Sequence, residues 1–170
     1  MKKRLTIIQM DVHVNDVEYN YTRVQELLSQ SLSEHPDIIV LPETWNTGFY
    51  PSKELINIAD RNGERTQSLL SAFAKEHNVN IVGGSVAVAK NDVVFNTSYA
   101  YNREGTLVGE YSKMHGFSPA KEDQYFAGGT HTTHFELDGI PCSTVICYDI
   151  RFPELVRMAA LPNTELLFVP

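Results

Sequence analysis

Three ionisable side chains of different chemistry each follow an apolar run: Glu43 after Asp37 to Pro42, Lys113 after Thr106 to Ser112, and Cys147 after Ile140 to Ile146. A thiol, with a reference pKa of roughly 8.5, attacks well only as the thiolate, so it needs a base for its proton or a cation beside its charge. A carboxylate and an ammonium supply both. The ammonium, with one or two peptide N–H groups, would also stabilise the oxyanion of a tetrahedral intermediate, at about 3 to 4 kcal/mol per well-placed donor. These residue types point to acyl transfer from an amide, with Cys147 as nucleophile, Glu43 as base, and Lys113 with the amide of Tyr148 as oxyanion donors. Taken singly, each has a plainer reading: a small core hydrophobe, a water-facing carboxylate, and an edge-strand lysine that discourages aggregation.

The elements around these residues predict an α/β protein. Leu5 to Gln9 reads as a first buried strand, and Asp16 offers an N-cap for a helix with Val17, Tyr21, Val24, Leu28 and Leu32 on one face. Asp37 to Leu41 has the near-continuous apolarity of a strand covered on both sides. A second helix is expected over Thr66 to His77, ended by Asn78. Strands at Asn80 to Ala89, Val93 to Tyr101 and Thr106 to Ser112 then form consecutive hairpins. A long loop, Met114 to about Thr130, precedes a hairpin of Thr132 to Leu137 and Ile140 to Ile146 around Asp138-Gly139. Pro153 opens a helix running to Leu161, and Glu165 to Val169 begins another strand. In open α/β sheets, sites form at the C-terminal ends of strands, which is where the three residues fall.

Composition removes several function classes. The chain has 170 residues, 42% of them hydrophobic and 21% charged, with a formal net charge of -7, which argues against a nucleic-acid partner. The apolar segment from Leu5 to Met10 is too short for a signal peptide or membrane span, so a cytoplasmic location is expected. Cys142 and Cys147 lie five apart in what reads as one strand, facing opposite ways as free thiols. No metal is expected: His131 and His134 have no acidic or thiol partner at ligand spacing. Asn20-Tyr21-Thr22 matches a glycosylation acceptor by chance.

The blocks around the three residues resemble the nitrilase superfamily of carbon-nitrogen hydrolases. They are Leu41-Pro42-Glu43-Thr44-Trp45-Asn46-Thr47-Gly48-Phe49, Tyr111-Ser112-Lys113-Met114-His115, and Cys147-Tyr148-Asp149-Ile150-Arg151-Phe152-Pro153-Glu154-Leu155, in the family's order. Val82 to Ser85, Phe95-Asn96-Thr97 and Phe126-Ala127-Gly128 also look like family positions. The resemblance implies an αββα sandwich, a catalytic triad of Glu43, Lys113 and Cys147, and a second glutamate, Glu122, that hydrogen-bonds the lysine and helps hold substrate. Tyr148, Phe49 and Arg151 are the candidates for oxyanion or substrate binding. Asp149 and Arg151 are expected to brace the turn after the nucleophile through an ion pair. The Trp45 to Phe49 segment and the block after Cys147 look most like the omega-amidase branch, which implies small amide substrates such as 2-oxoglutaramate and no cofactor. Nitrile and N-carbamoyl substrates would use the same nucleophile.

Family members run further than this chain and commonly form homodimers. The expectation is therefore a single carbon-nitrogen hydrolase domain over residues 1-170 that lacks C-terminal elements and has an incomplete second sheet. The rival expectation is a non-catalytic remnant of the fold acting as a partner-binding piece. A protease or redox role through Cys147 and His115 has no signature behind it.

Overall fold

A strand that is apolar at every position needs a partner on each face, and Ile38, Ile39 and Val40 are all buried. The computed structural model, which describes residues 2–161 and 163–170, supplies both partners. In chain order the elements are β1 (Leu5–Ile7), α1 (Val17–Ser31), β2 (Ile38–Val40), α2 (Leu55–Ile58), β3 (Asp60–Arg61), α3 (Glu64–His77), β4 (Asn80–Val82), β5 (Val86–Lys90), β6 (Val93–Tyr101), β7 (Leu107–Ser112), β8 (Thr133–Leu137), β9 (Ile140–Thr144), α4 (Pro153–Ala160) and β10 (Leu166–Phe168).

The first sheet has seven strands. In it β1, β2 and β4 run parallel, β4 and β5 lie along one flank of β6, β7 lies along the other, and β3 closes the far edge beside β5. Ile39, Ile81, Tyr99 and Tyr101 turn one face of this sheet toward Tyr21, Val24 and Leu28 of α1 and Leu70, Phe73 and Ala74 of α3. Ile38, Val40, Val82 and Ala100 face Phe135, Leu137, Cys142 and Phe168 of a second, three-stranded sheet in the order β10-β9-β8. Beyond that sheet lies α4, whose Leu155 and Ala159 pack on Val145. The layers are therefore helix, sheet, sheet, helix, the αββα sandwich that the resemblance implied.

Local signals set the helix ends. The Asp16 carboxylate accepts the Tyr19 N–H at 3.2 Å, and Asn78 takes the left-handed conformation that ends α3. Asn20 is fully buried, with its amide bonded to the Asn46 carbonyl at 3.1 Å and the His13 carbonyl at 2.7 Å, so it is no glycosylation acceptor. At the far end of the sandwich Arg103 forks onto Asp138 at 2.8 and 2.7 Å and reaches Asp37 at 2.8 Å, tying the β8–β9 turn to the first sheet. Those contacts hold the Asp138 carboxyl well below the usual carboxylate range.

Three expectations are corrected. Among the described residues the first strand is an edge strand with a single neighbour, and Ile7 is 75% exposed, because apolarity does not say which flank a strand occupies. The expected strand Asn80 to Ala89 breaks at Gly83-Gly84-Ser85. Strand β9 ends at Thr144, so alternation does not govern Cys147. The short pair α2 and β3 went unforeseen, having too few residues to show a period.

The break between β4 and β5 has a steric cause. Gly84 has φ +60°, and a Cβ there would lie 2.0 Å from the Pro42 carbonyl oxygen and 2.5 Å from that of Leu41. The chain leaving β2 is thus pressed against the bulge. Gly84→Ala is expected to lower unfolding free energy by at least about 2 kcal/mol, since strain and clash add there. Urea unfolding checks this, and a change under about 0.5 kcal/mol would show that the contact is not tight.

Candidate active site

Glu43 is fixed by that docking. Past Pro42 the chain reverses at Thr44, at φ 43°, and fastens to the bulge: Ser85 N–H to the Pro42 carbonyl at 3.0 Å, Thr44 N–H to Ser85 Oγ at 3.0 Å, and the Trp45 indole N–H to the Gly83 carbonyl at 2.9 Å. Asn46 then acts as a surrogate strand, exchanging two hydrogen bonds with the Ala87 backbone at 3.0 and 2.8 Å. Lys113 leaves β7 with its N–H on the Asn96 carbonyl at 2.9 Å and its carbonyl on the Gly129 N–H at 2.8 Å. Between them the Met114–Thr130 loop winds two short 3₁₀ turns, and Glu122, at the start of the second, is only 1% exposed.

These three side chains meet in one ion cluster. Lys113 Nζ lies 2.8 Å from Glu43 Oε1 and 2.9 and 2.7 Å from the two oxygens of Glu122. The Phe117 N–H donates to Glu122 Oε2 at 2.7 Å, and Asn96 Nδ2 to Glu43 Oε1 at 3.1 Å and Glu122 Oε1 at 3.2 Å. Burial works against the lysine charge, yet the two carboxylates outweigh it and hold the Lys113 pKa above its ordinary value. Removing one partner from so buried a pair typically costs about 3 to 5 kcal/mol, so the cluster is also a structural anchor.

Cys147 stands beside the cluster, at φ 45°, in a 3₁₀ turn that runs from Cys147 to Arg151. Its N–H is taken by the Pro170 carbonyl at 2.8 Å, whereas the Tyr148 N–H has no acceptor among the described residues. Burial, and then the charge of Glu43, push the thiol up to about 11, with Lys113 pulling the other way. The turn is braced by Asp149, fully buried, which accepts from Tyr111 Oη at 2.7 Å, the His115 N–H at 2.9 Å and the Ile146 N–H at 3.1 Å, and pairs with His115 Nδ1 at 2.9 Å.

The expected Asp149–Arg151 ion pair does not form. Asp149 faces inward to Tyr111 and His115, and Arg151 is exposed. His115 is likewise occupied, stacked on Phe152 at 3.6 Å, so it is no partner for the thiol. Phe49 and Tyr148 both contact Phe117, at ring separations of 6.3 and 5.0 Å, and these aromatics form a wall next to the turn. Sequence reasoning missed Phe117, Asn96 and the roles of Tyr111 and His115. The Phe-Asn-Thr and Tyr-Ser-Lys-Met-His blocks carried a signal for Asn96, Tyr111 and His115, and nothing in the sequence marked Phe117. His131 and His134 are exposed, and no group of three metal-binding side chains occurs among the described residues.

A four-layer αββα sandwich with a cysteine turn beside a glutamate–lysine–glutamate cluster has the architecture of the nitrilase superfamily. The carbon-nitrogen hydrolase family profile matches residues 4–170, and the chain belongs to that family. It is 40% identical over 169 residues to a 2-oxoglutaramate amidase of Bacillus subtilis, covering 99% of this chain and 64% of that protein. It is 33% identical over 181 residues to the omega-amidase NIT2 of Danio rerio, with 99% and 63% covered. The solved NitN amidase of a Nesterenkonia species superposes with a TM-score of 0.88 at 22% identity, over 99% of this chain and 66% of that one. The chain thus spans just under two thirds of the length of these two curated relatives.

Because Glu43 raises the Cys147 thiol by its charge, Glu43→Gln is expected to speed alkylation of Cys147 by iodoacetamide at mildly alkaline pH by about three- to tenfold. Peptide mass spectrometry reads the label, with buried Cys142 as the unlabelled internal control. Slower alkylation in the variant would contradict this electrostatic account.

Proposed function

We propose that this chain is a single carbon-nitrogen hydrolase domain that cleaves the C–N bond of small linear amides through a cysteine thioester, with a terminal monoamide of the 2-oxoglutaramate type as substrate. The carrying observation is the thiol at a strained turn beside a carboxylate that shares a buried ammonium with a second carboxylate. A thiol near 11 is thiolate in only roughly one molecule in ten thousand at neutral pH, so attack needs a base at the moment of reaction. Glu43 takes the Sγ proton as the Cys147 sulfur bonds to the carbonyl carbon. The oxyanion forms against the Lys113 ammonium and the Tyr148 N–H, which has no acceptor of its own among the described residues.

When the intermediate collapses, the C–N bond breaks and Glu43 returns its proton to nitrogen, releasing ammonia. Glu43 then deprotonates a water that attacks the thioester, and the proton passes back to sulfur as the acid departs. Glu122 keeps Lys113 in place through both halves. The aromatic wall of Phe49, Phe117 and Tyr148 limits the site to a slim substrate. Arg151, exposed and without an ion-pair partner among the described residues, is the candidate for a distal substrate carboxylate. The 40% identity to a 2-oxoglutaramate amidase supports the substrate choice. The reading includes a cytoplasmic homodimer, for which Ile150 in the turn before α4, Met158 on it and Leu161 just after it offer exposed apolar side chains; among the described residues no helix is long and apolar enough to cross a membrane.

Ammonia release from 2-oxoglutaramate is the expected activity. Cys147→Ala should reduce it about a thousandfold or more while leaving the urea unfolding midpoint unchanged. Retained activity in that variant would refute the nucleophile, and silence from the parent on a panel of small amides would refute the reaction class.

A further inference from the structure

We infer that Asn96 is a positioning residue of this site, keeping Glu43 and Glu122 ionised together around one ammonium by giving a side-chain N–H to each. The inference rests on the amidase reading above and deepens it. Asn96 lies within β6 and is 1% exposed, a strand position where β-branched and aromatic residues pack better. Its Nδ2 touches the same two oxygens that Lys113 holds, Glu43 Oε1 at 3.1 Å and Glu122 Oε1 at 3.2 Å. Its own Oδ1 is buried with no hydrogen-bond partner among the described residues. An orphaned buried acceptor costs roughly 1 to 3 kcal/mol, so the amide's orientation is set by what its other end binds.

The need for that donor follows from charge. Two carboxylates against a single ammonium leave one negative charge in excess, and close carboxylates tend to share a proton unless each accepts hydrogen bonds. The groups facing Glu43 are Lys113, Cys147 and Asn96, with Glu122 across the ammonium. Glu122 faces Lys113, Asn96 and the Phe117 N–H. A proton captured by Glu43 would remove the base, and one captured by Glu122 would loosen Lys113. A neutral donor to both carboxylates prevents this without adding a second cation that would compete for the oxyanion.

The test compares the pH profile of amide hydrolysis for the parent, Asn96→Ala and Asn96→Ser. In the alanine variant the acid limb of kcat/KM is expected to move up by about one pH unit, which is about tenfold less activity on that limb, and to converge with the parent toward alkaline pH. The serine variant, retaining one donor, should fall between them. A merely structural role would lower the rate by one factor at every pH, which would overturn the inference. Infrared titration of carboxyl protonation gives a readout independent of substrate: one carboxyl should protonate earlier in the alanine variant. If the parent hydrolyses no amide yet this titration shifts, the amidase reading falls and the Asn96 assignment stands. If both profile and titration are unchanged, Asn96 does not do this. Should neither variant fold, nuclear magnetic resonance of the parent decides: both Asn96 side-chain protons should be protected from exchange, and fast exchange would overturn the inference.

Discussion

An ammonium buried between two carboxylates is the constraint on which the rest of this structure depends. Lys113 is almost wholly inaccessible and so is Glu122, and charges taken out of water hold together only if every lone pair and proton finds a partner. Four segments deliver those partners: the turn after β2 brings Glu43, β6 brings Asn96, the end of β7 brings Lys113, and the loop directly beyond brings Glu122 with the Phe117 N–H. The contacts that bring in Glu43 and Asn96 span 26 to 70 residues of chain. The site can therefore exist only when the first sheet is assembled with its loop closed over it.

Strain is placed on both sides of the cluster and restrained by packing. Thr44, immediately after Glu43, and Cys147 itself both adopt the left-handed conformation that non-glycine residues avoid. Each is clamped by its neighbours. Thr44 is held by Ser85 and by the Trp45 indole fixed on Gly83, and Cys147 by the Pro170 carbonyl in front and the buried Asp149 behind. The second sheet contributes the turn that carries Cys147, the first contributes Glu43 and Lys113, and the shared core of Val40, Val82, Phe135 and Phe168 sets the distance between them.

Much of this was legible in the sequence, and what was not had physical reasons. Asp16 and Asn78 marked helix ends because their side chains act on backbone within a few residues. The β8–β9 hairpin was legible because Asp138-Gly139 favours its turn. The bulge at Gly83 to Ser85 was not, since Val-Gly-Gly-Ser continues an apolar run and its cause lies in a segment some forty residues earlier. The exposure of Ile7 depends on strand order, which no local pattern encodes. Glu122 sits in a run of charged and polar residues that reads as solvated loop, and only the family resemblance singled it out. Asp149 was noticed but given the wrong partner, because adjacency to Arg151 suggested an ion pair while the fold brings Tyr111 and His115 closer.

The central claim is that the buried cluster serves a covalent reaction at Cys147. Acid-quenching the parent during turnover of 2-oxoglutaramate and mapping the modified peptide by mass spectrometry tests it most directly. The account predicts an added acyl group, the substrate less ammonia, on the peptide that carries Cys147. Turnover with no adduct there under conditions that trap a thioester, or an adduct on another residue, would contradict it.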